Sequence, residues 1–300
     1  MPDADDPAEA KSIAPSTSRA LVTQSSSLVR RGLALAEALL SRQDAEVYYK
    51  SGSEKVRQQD YRHAVEDFTR AIEIDPAFAE AYSSRAFCFG HLREHQKALQ
   101  DRETVIRLRP HDDSAYVLRA GLHKLLRNYE EALRDYTRAI ELAPEKAHRY
   151  EWRGALLNEL EKYQEAIDDY THAIELELPR INTVAYRGRG LARYNLGHLE
   201  EAISDYTHAM ENELWLIEPG YFRGLAYEAL GRYQDARQDY DRVIDLSRTH
   251  SEGDNYIAST YLRRGVVHQK LGIRAEAFAD FRQATRLGNT AARAYLQNKR

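Results

Sequence analysis

An alanine recurs along most of this chain at a nearly constant interval, and that interval constrains the fold more than any other feature. The residues around each alanine read as two amphipathic helices joined by a short turn, because the apolar positions follow the spacing of one helix face. A fixed period of this length indicates stacked copies of one helical hairpin. The alanines are Ala64, Ala98, Ala132, Ala166, Ala202, Ala236 and Ala277, at intervals of 34, 34, 34, 36, 34 and 41 residues.

Residues 113–144 show how one such hairpin is delimited. The spacing predicts a first helix over residues 114–126. Asn128 is the expected N-cap of the second helix, and Glu131 three residues later would complete a capping box. Pro144 ends the second helix, because proline cannot continue one.

Two further positions repeat in step with the alanines. Each first helix carries a small residue, and each second helix carries an aromatic ring four residues after its alanine, with Arg102 as the exception. Small residues let the two helices of a hairpin approach closely, which bulky side chains would prevent. The small residues are Gly52, Ala86, Ala120, Gly154, Gly190, Gly224 and Gly265, and the rings are Phe68, Tyr136, Tyr170, Tyr206, Tyr240 and Phe281.

Together these positions resemble the tetratricopeptide repeat family over residues 45–288, in seven units. The resemblance implies an all-α fold, a right-handed superhelical solenoid of about seven helix–turn–helix repeats with terminal capping helices. Residues 27–44 are expected to form the N-terminal capping helix, with a membrane-surface helix as the alternative, and residues 289–300 the C-terminal solvating helix. Residues 1–26 are polar and proline-bearing, which favours a disordered tail. The insertion at residues 249–256 is predicted to be a surface loop.

Arginine and aspartate mark a departure from the usual pattern of the family. Arginine stands before the small residue in six units, where leucine is usual, and aspartate precedes the ring position in all seven. A buried arginine needs a partner, because an unpaired buried charge is very costly. The first unit has no predecessor and alone lacks the arginine, having Ser51. We therefore predict ion pairs between each arginine and the preceding unit, such as Arg153 with Asp135; a row of arginines for phosphate or carboxylate ligands is the alternative.

The sequence offers no candidate for catalysis or metal binding. It contains no Walker loop, dinucleotide fingerprint, G-x-S-x-G or H-E-x-x-H motif. His91 and His95 are four residues apart but have no third ligand in step. The single cysteine, Cys88, lies between two phenylalanines, which favours a packed thiol over a nucleophile. We expect no enzyme activity, no cofactor and no metal.

Charge and hydropathy bear on partners and location. The formal net charge is only -4, so no overall field attracts nucleic acid. No apolar run approaches the ~18 residues that span a bilayer. Asp3, Asp5 and Asp6 stand where a secretory signal would need positive charge. With one cysteine, which excludes an intramolecular disulfide, these features favour a cytoplasmic protein that binds neither nucleic acid nor membrane.

The resemblance also implies a function. First helices in the family line a concave groove that binds an extended peptide or a partner's helix, so we expect a non-catalytic interaction scaffold or adaptor. The alternative is a regulatory sensor module that binds a short signalling peptide. Trp152 is the preferred anchor, since tryptophan is enriched in hot spots, but burial between repeats would explain it equally well; Lys50 and Arg187 would set ligand direction. The positions that correspond to the groove are Tyr49, Lys50, Phe87, Leu118, Trp152, Arg187, Leu191, Tyr221, Phe222 and Arg263.

Overall fold

The computed structural model of the protein describes residues 42–211, 216–248 and 254–297, and all regular structure in these ranges is helical. The expected tail at residues 1–26 and most of the expected N-terminal cap lie outside the described residues. The first helices of the repeats are α1 (residues 42–57), α3 (Ala79–His91), α5 (Asp113–Leu125), α7 (Ala147–Glu159), α9 (Thr183–Asn195), α11 (Ile217–Ala229) and α13 (Asp254–Lys270). The second helices are α2 (Tyr61–Ile74), α4 (His95–Leu108), α6 (Tyr129–Leu142), α8 (Tyr163–Glu177), α10 (Leu199–Glu211), α12 (Tyr233–Ser247) and α14 (Arg274–Arg286), and the short α15 (Ala292–Gln297) follows.

The described helices form two compact units, which divide between Pro110 and His111. Within each unit, a first helix packs against the second helix of its own repeat, and that second helix packs against the next first helix. In the second unit, α7, α9, α11 and α13 also contact one another in succession. We call the surface formed by these first helices the inner surface. The prediction of an all-α array of helical hairpins is confirmed.

The turn inside each repeat contains one residue in the left-handed region of backbone conformation. In the first four repeats this residue is not glycine, and in the last three it is. Residues other than glycine adopt a positive φ at a cost of about 1–2 kcal/mol. The residues are Gln59, Arg93, Arg127 and Glu161, with φ between 59° and 62°, followed by Gly197, Gly231 and Gly272, with φ between 72° and 79°.

The predicted capping box at the start of α6 is wrong, although Asn128 does occupy the N-cap position. The Asn128 side chain makes no capping hydrogen bond. Its backbone N–H already donates to the His123 carbonyl at 2.8 Å, across the turn. Glu131 instead pairs with Arg134 at 2.7 Å. The turn between the two helices therefore occupies the Asn128 N–H group, which is the donor that Glu131 would need for a capping box.

The ends of the array agree only in part with the sequence. Helix α6 ends at Leu142, two residues before Pro144, so proline does close this unit. Helix α13 begins at Asp254, which places Tyr256 in a helix rather than in the predicted loop. At the C-terminal end, α15 packs on α14, and the Tyr295 ring stacks on Phe281 with centroids 4.6 Å apart.

The repeating small residues make room for the repeating rings. A Cβ atom added to Gly190 would lie 2.9 Å from the ring of Tyr206, and one added to Gly224 would lie 2.6 Å from the ring of Tyr240. Each pair joins the two helices of one repeat. The small residue therefore faces an aromatic ring, and the close approach of the helices depends on the space that the missing side chain leaves.

The arginines and aspartates pair within repeats, so the predicted pairing of Arg153 with Asp135 of the preceding unit is wrong. Arg153 donates from Nε and Nη2 to the two carboxylate oxygens of Asp169, at 2.8 and 2.7 Å. The two helices of a hairpin run antiparallel, which brings residues 16 apart in sequence to the same level. The same bidentate pair occurs in six repeats: Arg85 with Asp101, Arg119 with Asp135, Arg153 with Asp169, Arg189 with Asp205, Arg223 with Asp239, and Arg264 with Asp280.

The preceding repeat contributes a hydroxyl to this arrangement. The third guanidinium nitrogen of Arg153, Nη1, donates to the Thr137 hydroxyl on α6 at 3.0 Å. The first repeat has no arginine at this position; there Lys55 Nζ lies 2.7 Å from Asp67. The absence of arginine from the first repeat therefore reflects a replacement by lysine. Because these guanidinium groups already hold aspartates, they do not form the alternative row of ligand-binding arginines.

Candidate functional site

The ten predicted groove residues fall in both units. Tyr49 and Lys50 on α1 and Phe87 on α3 belong to the first unit, where Lys50 and Phe87 are exposed. The other seven lie on first helices of the second unit. The structure brings three of its helices, α9, α11 and α13, together at the inner surface. The members on those helices are Arg187, Leu191, Tyr221, Phe222 and Arg263.

Four half-buried aromatic side chains meet on α9, α11 and α13, and we call them the aromatic patch. They are Tyr194, Tyr221, Phe222 and Tyr256. The ring of Tyr221 lies 5.4 Å from Phe222 and 5.2 Å from Tyr256, measured between centroids. Phe222 lies 6.1 Å from Tyr256 and 6.4 Å from Tyr194. Aromatic pairs at these separations attract one another, and their exposed faces can still pack against a further apolar group.

Beneath the patch lies Tyr206, which projects from α10 and is fully buried. Its ring stacks on Phe222 with centroids 6.1 Å apart and an interplanar angle of 18°. The Tyr206 hydroxyl has no hydrogen-bond partner among the described residues, and burial raises its pKa. A buried polar atom without a partner is uncommon in native proteins and calls for an explanation.

Ion pairs flank the patch on both sides. Arg187 Nη1 lies 3.4 Å from a carboxylate oxygen of Glu218, and Arg263 Nη1 lies 3.4 Å from Glu228. Glu228 also accepts a hydrogen bond from the Tyr240 hydroxyl at 2.9 Å. Both arginines thus have carboxylate partners, and the charges around the patch are balanced. Partly exposed pairs of this kind stabilise the fold by only about 0–1 kcal/mol each.

Trp152 lies on α7 and is 39% exposed, so it is not buried between neighbouring repeats. Its indole contacts two side chains of its own helix: the Arg149 guanidinium lies 4.9 Å from the ring centroid, and the His148 ring lies 5.0 Å away. Leu118 on α5 is 46% exposed. These two side chains remain candidates for partner contacts, separate from the aromatic patch.

Sequence reasoning missed four residues of this site: Tyr194, Glu218, Glu228 and Tyr256. Tyr194 follows Arg187 by seven residues, a spacing that keeps both on one helix face, so the periodicity could have found it. The same seven-residue spacing, applied along α11, would have found Glu218 and Glu228. Tyr256 could not be found in this way, because the insertion before it breaks the alignment of the repeats.

Within the described residues, no group of three or more histidine, cysteine, aspartate or glutamate side chains is arranged to hold a metal ion. Burial raises the pKa of the Cys88 thiol to about 11, which makes it a poor nucleophile at neutral pH. None of the described helices combines the length and the apolar content that crossing a bilayer requires.

Comparisons with known proteins agree with the repeat architecture. Family models described as tetratricopeptide repeat match residues 45–78, 125–176 and 221–250. No curated protein sequence matches the chain.

Solved structures resemble the fold over most of the chain. A tetratricopeptide repeat protein from Parabacteroides merdae is 20% identical, with a TM-score of 0.61 over 85% of this chain and 98% of its own. The C-terminal part of a repeat-containing protein from Cytophaga hutchinsonii is 14% identical, with a TM-score of 0.67 over 81% and 96%. YrrB, a repeat protein described as having an unusual peptide-binding site, is 24% identical, with a TM-score of 0.52 over 63% and 96%.

The family matches, the interval of the hairpins and their packing define the class of protein, an all-helical repeat array. This chain is a tetratricopeptide repeat protein.

Proposed function

We propose that the protein is a non-catalytic interaction scaffold whose inner surface binds a peptide or a helix of a partner protein. The aromatic patch is the observation that carries this proposal. Its four rings are only half-buried, although the repeats around them are closely packed. Exposed aromatic clusters rimmed by polar groups are typical of protein–protein interaction sites.

The chemistry of the patch favours a partner segment with apolar side chains. Phe222 and Tyr221 would act as anchors, since a few desolvated aromatic residues carry most of the binding energy at such interfaces. The flanking pairs, Arg187 with Glu218 and Arg263 with Glu228, would form a polar rim. Because those charges are paired and partly exposed, salt should weaken binding only mildly.

The same features argue for protein rather than nucleic acid as the partner. Platforms that stack nucleic-acid bases place rings beside a basic groove, whereas the arginines beside this patch are neutralised by Glu218 and Glu228. A cytoplasmic location forms part of the proposal, supported by a single, buried cysteine with no disulfide.

Site-specific photo-crosslinking in cells tests this proposal. A photoreactive phenylalanine analogue would replace Phe222 in one variant and His172 in another. His172 is the matched control, because it lies on a second helix, α8, with a side chain 49% exposed. We expect a distinct protein partner to be captured at position 222 and not at position 172. Capture at position 172 alone would show that the second helices bind the partner and would refute the proposal.

The captured partner then permits a quantitative test. Phe222→Ala should weaken its binding by about 2 kcal/mol, or roughly 30-fold, if Phe222 is an anchor. Phe222 also packs on Tyr206, so the circular dichroism and melting temperature of the variant must be measured beside its affinity. His172→Ala should leave binding unchanged. Equal losses in the two variants would contradict the assignment of the inner surface.

A further inference from the structure

In the fifth and seventh repeats, the first helix supplies a second base to the buried aspartate. Arg193 stands four residues after the pairing arginine, Arg189, and its Nη1 donates to Asp205 Oδ2 at 2.7 Å. His268 at the same position of the seventh repeat lies 2.9 Å from Asp280 through Nδ1. A carboxylate has about four acceptor positions, so one aspartate can hold two bases. The residues at this position are Lys55, Phe89, His123, Leu157, Arg193, Tyr227 and His268.

The fourth repeat has Leu157 at this position, and a cavity of about 310 Å³ lies beside it. Arg153 holds both carboxylate oxygens of Asp169, but Leu157 offers no second base. The six other repeats have a base or an aromatic ring there, each of which extends further than leucine. The cavity is lined by Leu133 and Thr137 on α6, Arg153 and Leu157 on α7, and Glu165, Asp168 and Asp169 on α8. It thus lies where other repeats place a larger side chain.

The fifth repeat has the same environment with a guanidinium in it. In both repeats the pairing arginine also donates from Nη1 to a threonine at 3.0 Å. Leu157 in place of Arg193 is the main difference, so the group that the fourth repeat lacks is a guanidinium. The matching polar residues are Thr137 and Thr171, Arg153 and Arg189, Glu165 and Glu201, and Asp169 and Asp205.

The charge of the cavity favours a cation as well. Arg153 is already paired with Asp169, and two exposed acids, Glu165 and Asp168, add negative charge. Lys162 lies 3.7 Å from Glu165 and offsets part of this charge. Among the described residues, Asp168 accepts a hydrogen bond only from a neutral amide, that of Gln164, at 3.2 Å. Of the seven repeats, the fourth alone has acids at all three of these positions of the second helix.

We propose that this cavity binds a guanidinium group carried on an apolar chain. Asp168 and Asp169 would accept its hydrogen bonds, since a guanidinium pairs well with carboxylates. Leu133 and Leu157 would pack along the chain, as apolar surface does with the methylenes of arginine. The arginine side chain of a partner protein and a free alkylguanidine both present this chemistry. The site shares no residue with the aromatic patch and does not depend on the function proposed for the inner surface.

Thermal unfolding of the full chain tests the site with acetyl-arginine-N-methylamide as the probe. Acetyl-citrulline-N-methylamide at equal ionic strength is the reference, because citrulline has the shape of arginine without its charge. A ligand at ten times its Kd should raise the melting temperature by about 2 °C in a chain of this size. Leu157→Arg is the main variant, because it places in the cavity the residue that the fifth repeat has there. We expect it to lose the increment.

A second variant keeps the test valid if Leu157→Arg disturbs folding, since Leu157 is buried. Glu165→Gln combined with Asp168→Asn changes only exposed side chains, and it should reduce the increment by at least half. Phe222→Ala should retain the increment, because the aromatic patch lies on other helices. Equal increments in the natural protein and in both cavity variants would overturn the site, and so would equal increments from the arginine and citrulline compounds.

Butylguanidine, which carries the same charge without a peptide backbone, distinguishes the two sources of the ligand. An increment from both guanidines that Leu157→Arg abolishes supports the arginine side chain of a partner. An increment from butylguanidine alone would overturn that source and assign the site to a free alkylguanidine.

Discussion

The pair between Arg153 and Asp169 allows the energetics of the contact between the two helices of one repeat to be predicted from geometry. The Asp169 side chain is 7% exposed and the Arg153 side chain is 24% exposed. Arg153→Ala leaves a nearly buried carboxylate without its partner, which costs about 3–5 kcal/mol in buried pairs. We expect about 3 kcal/mol, because the arginine is only partly buried. Asp169→Ala should cost less, about 2 kcal/mol, since the remaining guanidinium reaches water and retains Thr137.

A double-mutant cycle measured by urea denaturation gives the coupling of the two side chains. Once Asp169 has been removed, loss of Arg153 no longer strands a carboxylate, so we expect a coupling of about 2 kcal/mol. The control cycle combines Arg153→Ala with Asp135→Ala, which breaks the equivalent pair of the preceding repeat. Separate pairs should be additive within about 0.5 kcal/mol. Equal coupling in the two cycles would refute pairing within the repeat.

Three further predictions concern stability. Glu161→Gly should stabilise the protein by about 1 kcal/mol in urea denaturation, because it relieves a left-handed backbone at φ 59°, and Gly197→Glu should destabilise it; changes of the same sign would contradict this. Burial opposes a low pKa at Asp113, but hydrogen bonds from Lys146 and Arg149 lower it overall. Stability from this carboxylate is therefore present above about pH 4 and lost on further acidification. The difference in melting temperature between the natural protein and Asp113→Asn should shrink as the pH falls below about 4, and a difference that stays constant with pH would contradict this. Deletion of residues 113–146, one whole repeat, should leave a cooperative thermal transition of lower stability, whereas deletion of half a repeat should not fold.

The hairpins could be predicted because each imposes many coincident requirements on the sequence. The small residue keeps step with the alanine in all seven repeats and the ring in six of them, and the structure places Gly190 against Tyr206. Spacing alone could not decide the partner of Arg153. An aspartate at the same level is available in its own repeat and in the preceding one, and only the antiparallel packing selects Asp169. Ser51 misled the prediction, because Lys55 one turn later supplies the missing base.

The candidate site was less predictable than the fold. The position of Phe222 and Tyr221 on a first helix predicts that they lie at the inner surface. How far each ring is buried depends on its neighbours in three dimensions, which the sequence does not give. Phe222 stacks on Tyr206. Tyr206 occupies the recurring ring position, which helix packing explains by itself, so the sequence gives no sign that this ring also supports Phe222. Trp152 shows the converse: it is a large apolar residue at a predicted groove position, yet its ring interactions with His148 and Arg149 lie within its own helix.

The hydrogen bond from Arg153 to Thr137 has a consequence for how such a chain can grow by gene duplication. Four of the six arginines, Arg85, Arg153, Arg189 and Arg223, donate to a threonine hydroxyl of the preceding repeat. A duplicated segment that contains both groups therefore carries both halves of its own junction. Two junctions differ: Glu103 stands at the threonine position before Arg119, and Arg264 meets Asp241 at 2.6 Å in place of a threonine. A copy of the seventh repeat inserted elsewhere in the array would carry Arg264 but would be separated from Asp241, its partner in the sixth repeat. The array can thus lengthen from its middle, while its final repeat has been fitted to one neighbour.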